Sequence, residues 1–256
     1  MAIQMSKLGL LFASVGAAAV LAAGPAFADT EAGLRYLEAG DHVNALKELK
    51  DAAQKDDTTA MLWVGRILEK GFTGQKRQPL EATYWWEKAA YLGDPEAMLE
   101  LSHAYRNGFG VKLDWPQAYV WDKKAVELGN VQALRNMGDY YVLGQVVEKD
   151  PTEGARWYYR AALKGNLGAY MALSELLLDG NGVKADRPAA LIFLVAASKP
   201  VDGQAADRNA AANARNLRNS LTPEEKARAQ KLTLDAVLGA LSELDPDAYK
   251  AARSEK

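Results

Sequence analysis

The stretch RNGFGVKLDWPQA, Arg106–Ala118, contains two glycines one residue apart and then an Asp-Trp-Pro-Gln segment. Gly108 follows an apolar-periodic run, where a glycine supplies the left-handed conformation that ends a helix. Asp114 is a preferred N-cap residue, and Pro116 fits the first turn of the helix that follows. A phosphate-binding G-x-G would instead follow a strand. The stretch therefore predicts a turn between two helices.

The same turn recurs about every 36 residues, in phase with columns of similar side chains. Its glycine recurs as Gly71, Gly108, Gly144 and Gly180. The helix after the turn carries an aromatic residue and, four positions later, an alanine. These two columns are Trp85, Trp121, Trp157 and Phe193, and Ala89, Ala125, Ala161 and Ala197. Several columns in phase indicate an array of helical hairpins, each of which buries its apolar face against its neighbours.

The first helix of each unit carries a small residue between apolar ones. This column consists of Gly65, Ser102, Gly138 and Ser174. Small side chains at such a position let a neighbouring helix approach closely. No strand pattern or hairpin turn signal interrupts the array, so the sequence predicts an all-α fold.

The column patterns L-G/S-x-x-Y, G-x-G-V, D-x-x-x-A and W-x-x-x-A-A resemble the Sel-one-like subclass of the tetratricopeptide repeat superfamily. The resemblance covers residues 59–199, although the third unit has Gly144-Gln145-Val146 in place of the G-x-G-V turn. It implies a right-handed α-solenoid of helix-turn-helix repeats of about 36 residues with a helical C-terminal cap. It also implies that the first helices line a concave groove.

We predict four segments along the chain. Residues 1–28 form a signal peptide, 29–57 a degenerate N-terminal repeat, 58–200 four repeats, and 201–256 a helical C-terminal cap and tail. The cap contains a helix-start signature, Thr222-Pro223-Glu224-Glu225, which is a capping box with proline at the first helical position. Glu48 stands in the N-terminal segment where the other units carry the aromatic residue, so this terminal unit is expected to bury less core. The C-terminal helices are expected to cover the last apolar face of the array.

The first 28 residues have the composition of a secretory signal. Lys7 precedes an apolar run from Leu8 to Gly24, and Ala26-Phe27-Ala28 completes an A-x-A cleavage site before Asp29. No cysteine follows the site, which excludes a bacterial lipoprotein. We therefore expect a bacterial protein of the periplasm or the medium, with no membrane span once the signal is cleaved.

The composition excludes several function classes. The net charge of -2 gives no support to a nucleic-acid binder. The absence of cysteine excludes disulfides, thiol nucleophiles and thiolate metal sites. The two histidines, His42 and His103, are far apart in sequence and argue against a multi-histidine metal site. Nucleophile motifs such as G-x-S-x-G and S-x-x-K are absent. We expect no enzyme, no cofactor and no metal.

The positions of the first helices that lie outside the columns are the predicted partner-binding residues. They are Trp63, Arg66, Glu69, Glu100, His103, Arg106, Asn136, Asp139 and Glu175. Their mixed charges suit a peptide or protein surface that carries both signs. Aromatic residues outside the aromatic column would add interface anchors if they were exposed. These are Trp63, Trp86, Trp115, Tyr140 and Tyr158.

The leading hypothesis is a non-enzymatic periplasmic scaffold or adaptor that binds a partner protein or peptide on its repeat surface. The resemblance implies a role in envelope signalling, secretion or motility. One alternative is a secreted hydrolase or binder of β-lactams or peptidoglycan, although the similar proteins of that kind are rich in cysteine. Another is a periplasmic regulator that sequesters a sensor domain.

Overall fold

The computed structural model describes residues 30–72, 76–201 and 204–254. The predicted signal peptide lies outside these ranges. Within them the chain forms fourteen α-helices, and one isolated bridge joins Val201 to Gln204. The helices are α1 (Thr30–Glu38), α2 (His42–Ala53), α3 (Thr58–Lys70), α4 (Pro79–Tyr91), α5 (Pro95–Asn107), α6 (Trp115–Glu127), α7 (Val131–Leu143), α8 (Pro151–Leu163), α9 (Leu167–Asp179), α10 (Arg187–Ala197), α11 (Ala210–Ser220), α12 (Pro223–Ala229), α13 (Leu234–Ala240) and α14 (Pro246–Ser254).

The helices pack as successive hairpins, which confirms the predicted α-solenoid. The four central units pair α3 with α4, α5 with α6, α7 with α8 and α9 with α10, and each unit packs against the next. The hairpin of α1 and α2 precedes them. At the other end, α11, α12 and α13 pack against α10, and α14 lies on α8. None of the described helices is long and apolar enough to cross a bilayer.

The helix boundaries follow from the capping residues in the sequence. Asp114 begins α6, where its carboxylate accepts a hydrogen bond from the Gln117 backbone N–H. Asp150 and Asp186 do the same for α8 and α10. Gly108 ends α5 in the left-handed conformation, with φ of 65°. The capping box at Thr222 and Glu225 is also present, at the start of α12.

The aromatic and alanine columns form the core between the hairpins. Trp85, Trp121 and Phe193 are buried, and Trp157 is partly buried. The alanines four residues later are completely buried, so no larger side chain would fit at these positions without moving a helix. The repeated alanine thus sets how closely the helices of neighbouring hairpins pack.

A second buried column follows the aromatic one by a single residue. It consists of Trp86, Asp122, Tyr158 and Leu194, all with 5% exposure or less. Trp86 covers Gly65 and Tyr158 covers Gly138 so closely that a Cβ on either glycine would overlap the ring. Large rings therefore lie opposite the glycines of the small-residue column. The Asp122 carboxylate lies opposite Ser102.

Three of the aromatic residues considered as surface anchors belong to the core. Trp86 and Tyr140 are each 1% exposed and Tyr158 is 5% exposed. The rings of Trp86 and Tyr158 fill space that glycines on the first helices leave open, and the ring of Tyr140 packs against Trp115 and Tyr119. The hairpin pattern alone did not indicate this. Trp63 and Trp115 keep partial exposure.

The second glycine of the turn is held by the neighbouring unit. Gly110 has φ of 66°, and a Cβ there would overlap the carbonyl oxygen of Pro79 at the start of α4. The turn of one unit is thereby packed onto the helix start of the preceding unit. The same relation joins Gly182 to Pro151 two units later.

We expect Gly110→Ala to lower the free energy of unfolding by about 2 to 4 kcal/mol, because it adds a steric overlap with Pro79 to the cost of a left-handed alanine. Gly93→Ala is the matched control. Gly93 also has positive φ, at 92°, but nothing lies within 4 Å of the place that its Cβ would take, so about 1 kcal/mol is expected. Urea denaturation of both variants would measure the difference. Equal losses would contradict the packing role of Gly110.

Candidate interaction face on the first helices

The predicted partner-binding residues lie on four first helices, α3, α5, α7 and α9. Two pairs of them, Arg66 with Glu100 and Arg106 with Asp139, form ion pairs across unit boundaries. We define the first-helix face as the predicted residues that are exposed or half-buried, together with Glu96 on α5 and Arg135 on α7. Seven of the nine predicted residues are half-buried or exposed. Asn136 and Asp139 are buried, with exposures of 1% and 8%.

Arg66 connects the first unit to the second. Its Nε donates to Oε1 of Glu100 over 2.6 Å, and its Nη2 lies 3.3 Å from Oε2 of Glu96. The guanidinium also lies over the ring of Trp63, 5.3 Å from the ring centroid. Glu96 in turn accepts a hydrogen bond of 2.8 Å from the side chain of Asn130, the N-cap residue of α7. These contacts fix the side chains of three successive first helices relative to one another.

Asp139 is the centre of a second cross-unit contact. Its Oδ2 lies 3.3 Å from Nη1 of Arg135 and 3.6 Å from Nη2 of Arg106. Its Oδ1 accepts a 2.7 Å hydrogen bond from the Tyr158 hydroxyl. The carboxylate is thus paired on both oxygens. Asp139 positions the arginines of the face rather than being free for a partner.

Arg106 lies close to one carboxylate and two aromatic rings. Its guanidinium lies 5.1 Å from the ring centroid of Trp115 and 5.6 Å from that of Tyr140. Its side chain is only 17% exposed. A substitution of Arg106 would therefore disturb packing as well as surface charge.

Asp122 lies beneath this face and was not among the residues predicted from the sequence. It is completely buried and accepts hydrogen bonds from the Ser102 hydroxyl, the Asn136 amide and the Tyr140 hydroxyl, at 2.7, 3.0 and 2.9 Å. Burial raises the pKa of its carboxyl, and the three hydrogen bonds partly offset that effect. The sequence does contain a feature that could have identified Asp122: it is an aspartate in a repeat column that otherwise holds Trp, Tyr and Leu.

Three predicted residues, Glu69, Glu100 and His103, line a cavity of about 320 Å³. Trp86 and Phe109 also border it. Burial lowers the pKa of the His103 imidazole, which favours its neutral form at neutral pH. No serine, threonine or carboxylate of the described residues hydrogen-bonds to this imidazole. The cavity can accept a side chain, but His103 lacks the partner that a general base would activate.

Two glutamates of the predicted set make no ion pair or side-chain hydrogen bond within the described residues. Glu69 is half-buried at the cavity, and Glu175 is exposed on α9. Desolvation raises the pKa of Glu175, with the charge of Arg135 opposing it. All other charged residues of the predicted set except His103 are engaged in ion pairs. The charges left for a partner on these positions are therefore negative.

The comparisons with known proteins agree with this architecture. A family model described as Sel1 repeat matches residues 58–94, 95–130, 131–166 and 168–199. The chain is 27% identical to a Sel1 repeat protein from Oxalobacter formigenes of known structure, with a TM-score of 0.66, and the alignment covers 89% of this chain and all of that one. No curated protein matches the chain.

A second solved structure shows the same fold at greater distance. It is a protective antigen present in uropathogenic Escherichia coli strains, described as displaying an SLR fold. The identity is 21% and the TM-score 0.57, and the alignment covers 88% of this chain and 60% of the antigen. The resemblance predicted from the repeat columns is confirmed by the family model and by these structures.

We expect Asp122→Asn to gain stability relative to the native protein as the pH rises. The pKa of Asp122 in the folded chain lies above its ordinary value of 3.8, so its protonated form favours folding and ionisation opposes it. The difference in unfolding free energy between variant and native protein should grow as the pH rises from about 4 and then level off. Urea denaturation at a series of pH values would measure it.

Asp51→Asn is the control for this series, because Asp51 is an exposed carboxylate on α2. Its difference from the native protein should stay flat over the same range. A flat difference for Asp122→Asn as well would show that its burial has no energetic consequence for ionisation.

Proposed function

We propose that this chain, which belongs to the Sel1 repeat family, is an exported, non-enzymatic adaptor that binds a partner protein or peptide on its first-helix face. Sel1 repeat proteins bind protein partners and generally serve as non-catalytic interaction scaffolds. Repeat arrays present long surfaces with little reorganisation, since each unit is fixed by its neighbours. The proposal that a partner binds this chain on its first helices depends on the first-helix face described above.

The observation that carries the proposal is the cross-unit fixing of the face by Arg66, Glu100 and Asp139. Side chains that are already held in one arrangement lose little conformational entropy when a partner binds. The pairing also leaves the carboxylates of Glu69 and Glu175 as free negative charges, with Glu69 beside a small cavity. A partner segment with basic side chains and one group that enters the cavity would complement this arrangement.

The geometry offers little to a hydrolase. Ser102 donates to the carboxylate of Asp122, which is the type of contact that an activated nucleophile makes, but both residues are completely buried. A substrate therefore has no access to this serine. His103 also lacks a nucleophile among the described residues. These observations favour the adaptor over the β-lactam or peptidoglycan hydrolase.

For the cellular setting we propose the bacterial periplasm or the medium, with a role in envelope signalling, secretion or motility. The support for export is the charge, apolar run and A-x-A site of residues 1–28. An adaptor and a regulator that sequesters a sensor domain would use the same face. A regulator should be recovered with one tightly bound partner, whereas an adaptor should be recovered with more than one.

We expect the double variant Glu69→Lys, Glu175→Lys to recover its partner about tenfold less efficiently, because two free negative charges of the face are reversed. The measurement is quantitative mass spectrometry after cross-linking the mature protein in a periplasmic extract. Glu127→Lys is the matched control, since Glu127 is exposed on the second helix α6. Circular dichroism would confirm that all variants keep the helical fold. Equal recovery by the double variant and the control would place the interface elsewhere.

Export predicts a defined mature N-terminus. The protein recovered from the periplasmic fraction should begin at Asp29, because the predicted cleavage site ends at Ala28. Intact-mass measurement and N-terminal sequencing test this directly. Recovery of a chain that retains residues 1–28, or its exclusive recovery from the cytoplasm, would reject the proposed location.

A further inference from the structure

A cavity of about 510 Å³ lies where the repeats meet the C-terminal cap. Its walls come from α8, from the turn between α9 and α10, and from the cap helices α12 and α13 with the segment that follows them. The volume is in the range of small-ligand pockets, which occur preferentially where two structural units meet. None of the predicted partner-binding residues borders this cavity.

The floor of the cavity is apolar. Side chains from the last unit and from the cap contribute to it, including Leu177, Ala189, Leu232, Val237, Leu241 and Leu244. Leu177, Ala189 and Val237 are buried, and the three other leucines are half-buried. A ligand must therefore bring an apolar group to cover this surface.

One wall of the cavity carries unused donors. Lys184, in the turn before α10, makes no ion pair or hydrogen bond within the described residues. The backbone N–H groups of Val183, Lys184 and Ala185 likewise have no acceptor there. Consecutive free amides next to a lysine form the type of surface that captures a terminal carboxylate.

Most of the other charged groups of the lining are engaged in ion pairs. Arg228 Nη2 lies 2.5 Å from Oδ2 of Asp186, and Arg156 is paired with Glu153. Glu243, on the cap side, makes no ion pair within the described residues. The free groups are thus a donor-rich turn on one wall and a carboxylate acceptor on the cap. A peptide end offers both a carboxylate and N–H donors, whereas a fatty acid offers only the carboxylate.

We infer that this cavity binds the C-terminal end of a partner polypeptide whose last residues are apolar. The terminal carboxylate pairs with Lys184 and the amides of the turn, the apolar side chains cover the leucine floor, and Glu243 accepts a backbone N–H of the peptide. The cavity shares no residue with the first-helix face. The inference therefore goes beyond the proposed function, and either can fail while the other stands.

The test uses the mature full-length protein and a set of fluorescein-labelled synthetic peptides that end in two or three apolar residues. Each peptide is made once with a free C-terminal carboxylate and once as the C-terminal amide, and binding is measured by fluorescence polarisation. At least one free-acid peptide should bind about tenfold more tightly than its amide, as expected when a charge-assisted contact is lost.

Lys184→Glu should abolish this preference for the free acid, and Lys184→Arg should retain it. Lys112→Glu is the matched control, because Lys112 holds the same place in the turn between α5 and α6 and does not border the cavity. It should bind the peptide as the native protein does. Since both lysines are exposed, neither change should affect the fold.

Three results would overturn the inference. One is that no peptide of the set binds with a preference for the free acid. Another is that Lys184→Glu and Lys112→Glu behave alike. The third is that dodecanoate binds and depends on Lys184 while no peptide does, which would assign the cavity to a fatty acid.

Discussion

The structure depends on how closely the two helices of each hairpin can approach. A hairpin of this length cannot bury its apolar face alone, so it must pack against a neighbouring hairpin. Close packing requires that the helices approach one another closely. The small-residue column on the first helices leaves the gap that permits this approach. Where the residue is Gly65 or Gly138, a whole aromatic ring from the second helix fills it. Where it is Ser102, a carboxylate takes the place of the ring.

Most of the fold could be predicted because each repeat unit carries the same sequence signals for helix starts, helix ends and core positions. Helix starts at Asp114 and helix ends at Gly108 are local signals, and each recurs in the other units with little change. The predicted hairpins, the helical cap and the family were therefore confirmed. The burial of Trp86, Tyr140 and Tyr158 could not be predicted, because it depends on which residues face each ring across the hairpin or from a neighbouring unit.

The candidate site was only partly predictable for a related reason. The sequence identifies which residues lie on the first helices outside the columns, but not whether their charges are already paired. Arg66 and Glu100 are 34 residues apart and meet only because successive units are stacked in register. The same stacking buries Asp139 between two arginines and a tyrosine. The cavity between the last repeat and the C-terminal cap could not be predicted, because the repeat pattern ends before the cap helices that form part of its wall.

The buried carboxylate of Asp122 makes one junction of the array specific to the two units that it joins. Its three donors come from two different units: Ser102 from its own hairpin, and Asn136 and Tyr140 from the next. The positions of the other units that correspond to Tyr140 hold Ile67, Ala104 and Leu176, none of which can donate from its side chain. A copy of another unit inserted between these two hairpins would leave the buried carboxylate without at least the donor that Tyr140 supplies. The hydrogen bonds of this buried carboxylate therefore specify which unit follows, much as a single buried asparagine specifies register in a coiled coil. At that point the array can therefore accept a further copy of the α7–α8 unit, which brings the same donors, more readily than a copy of any other unit.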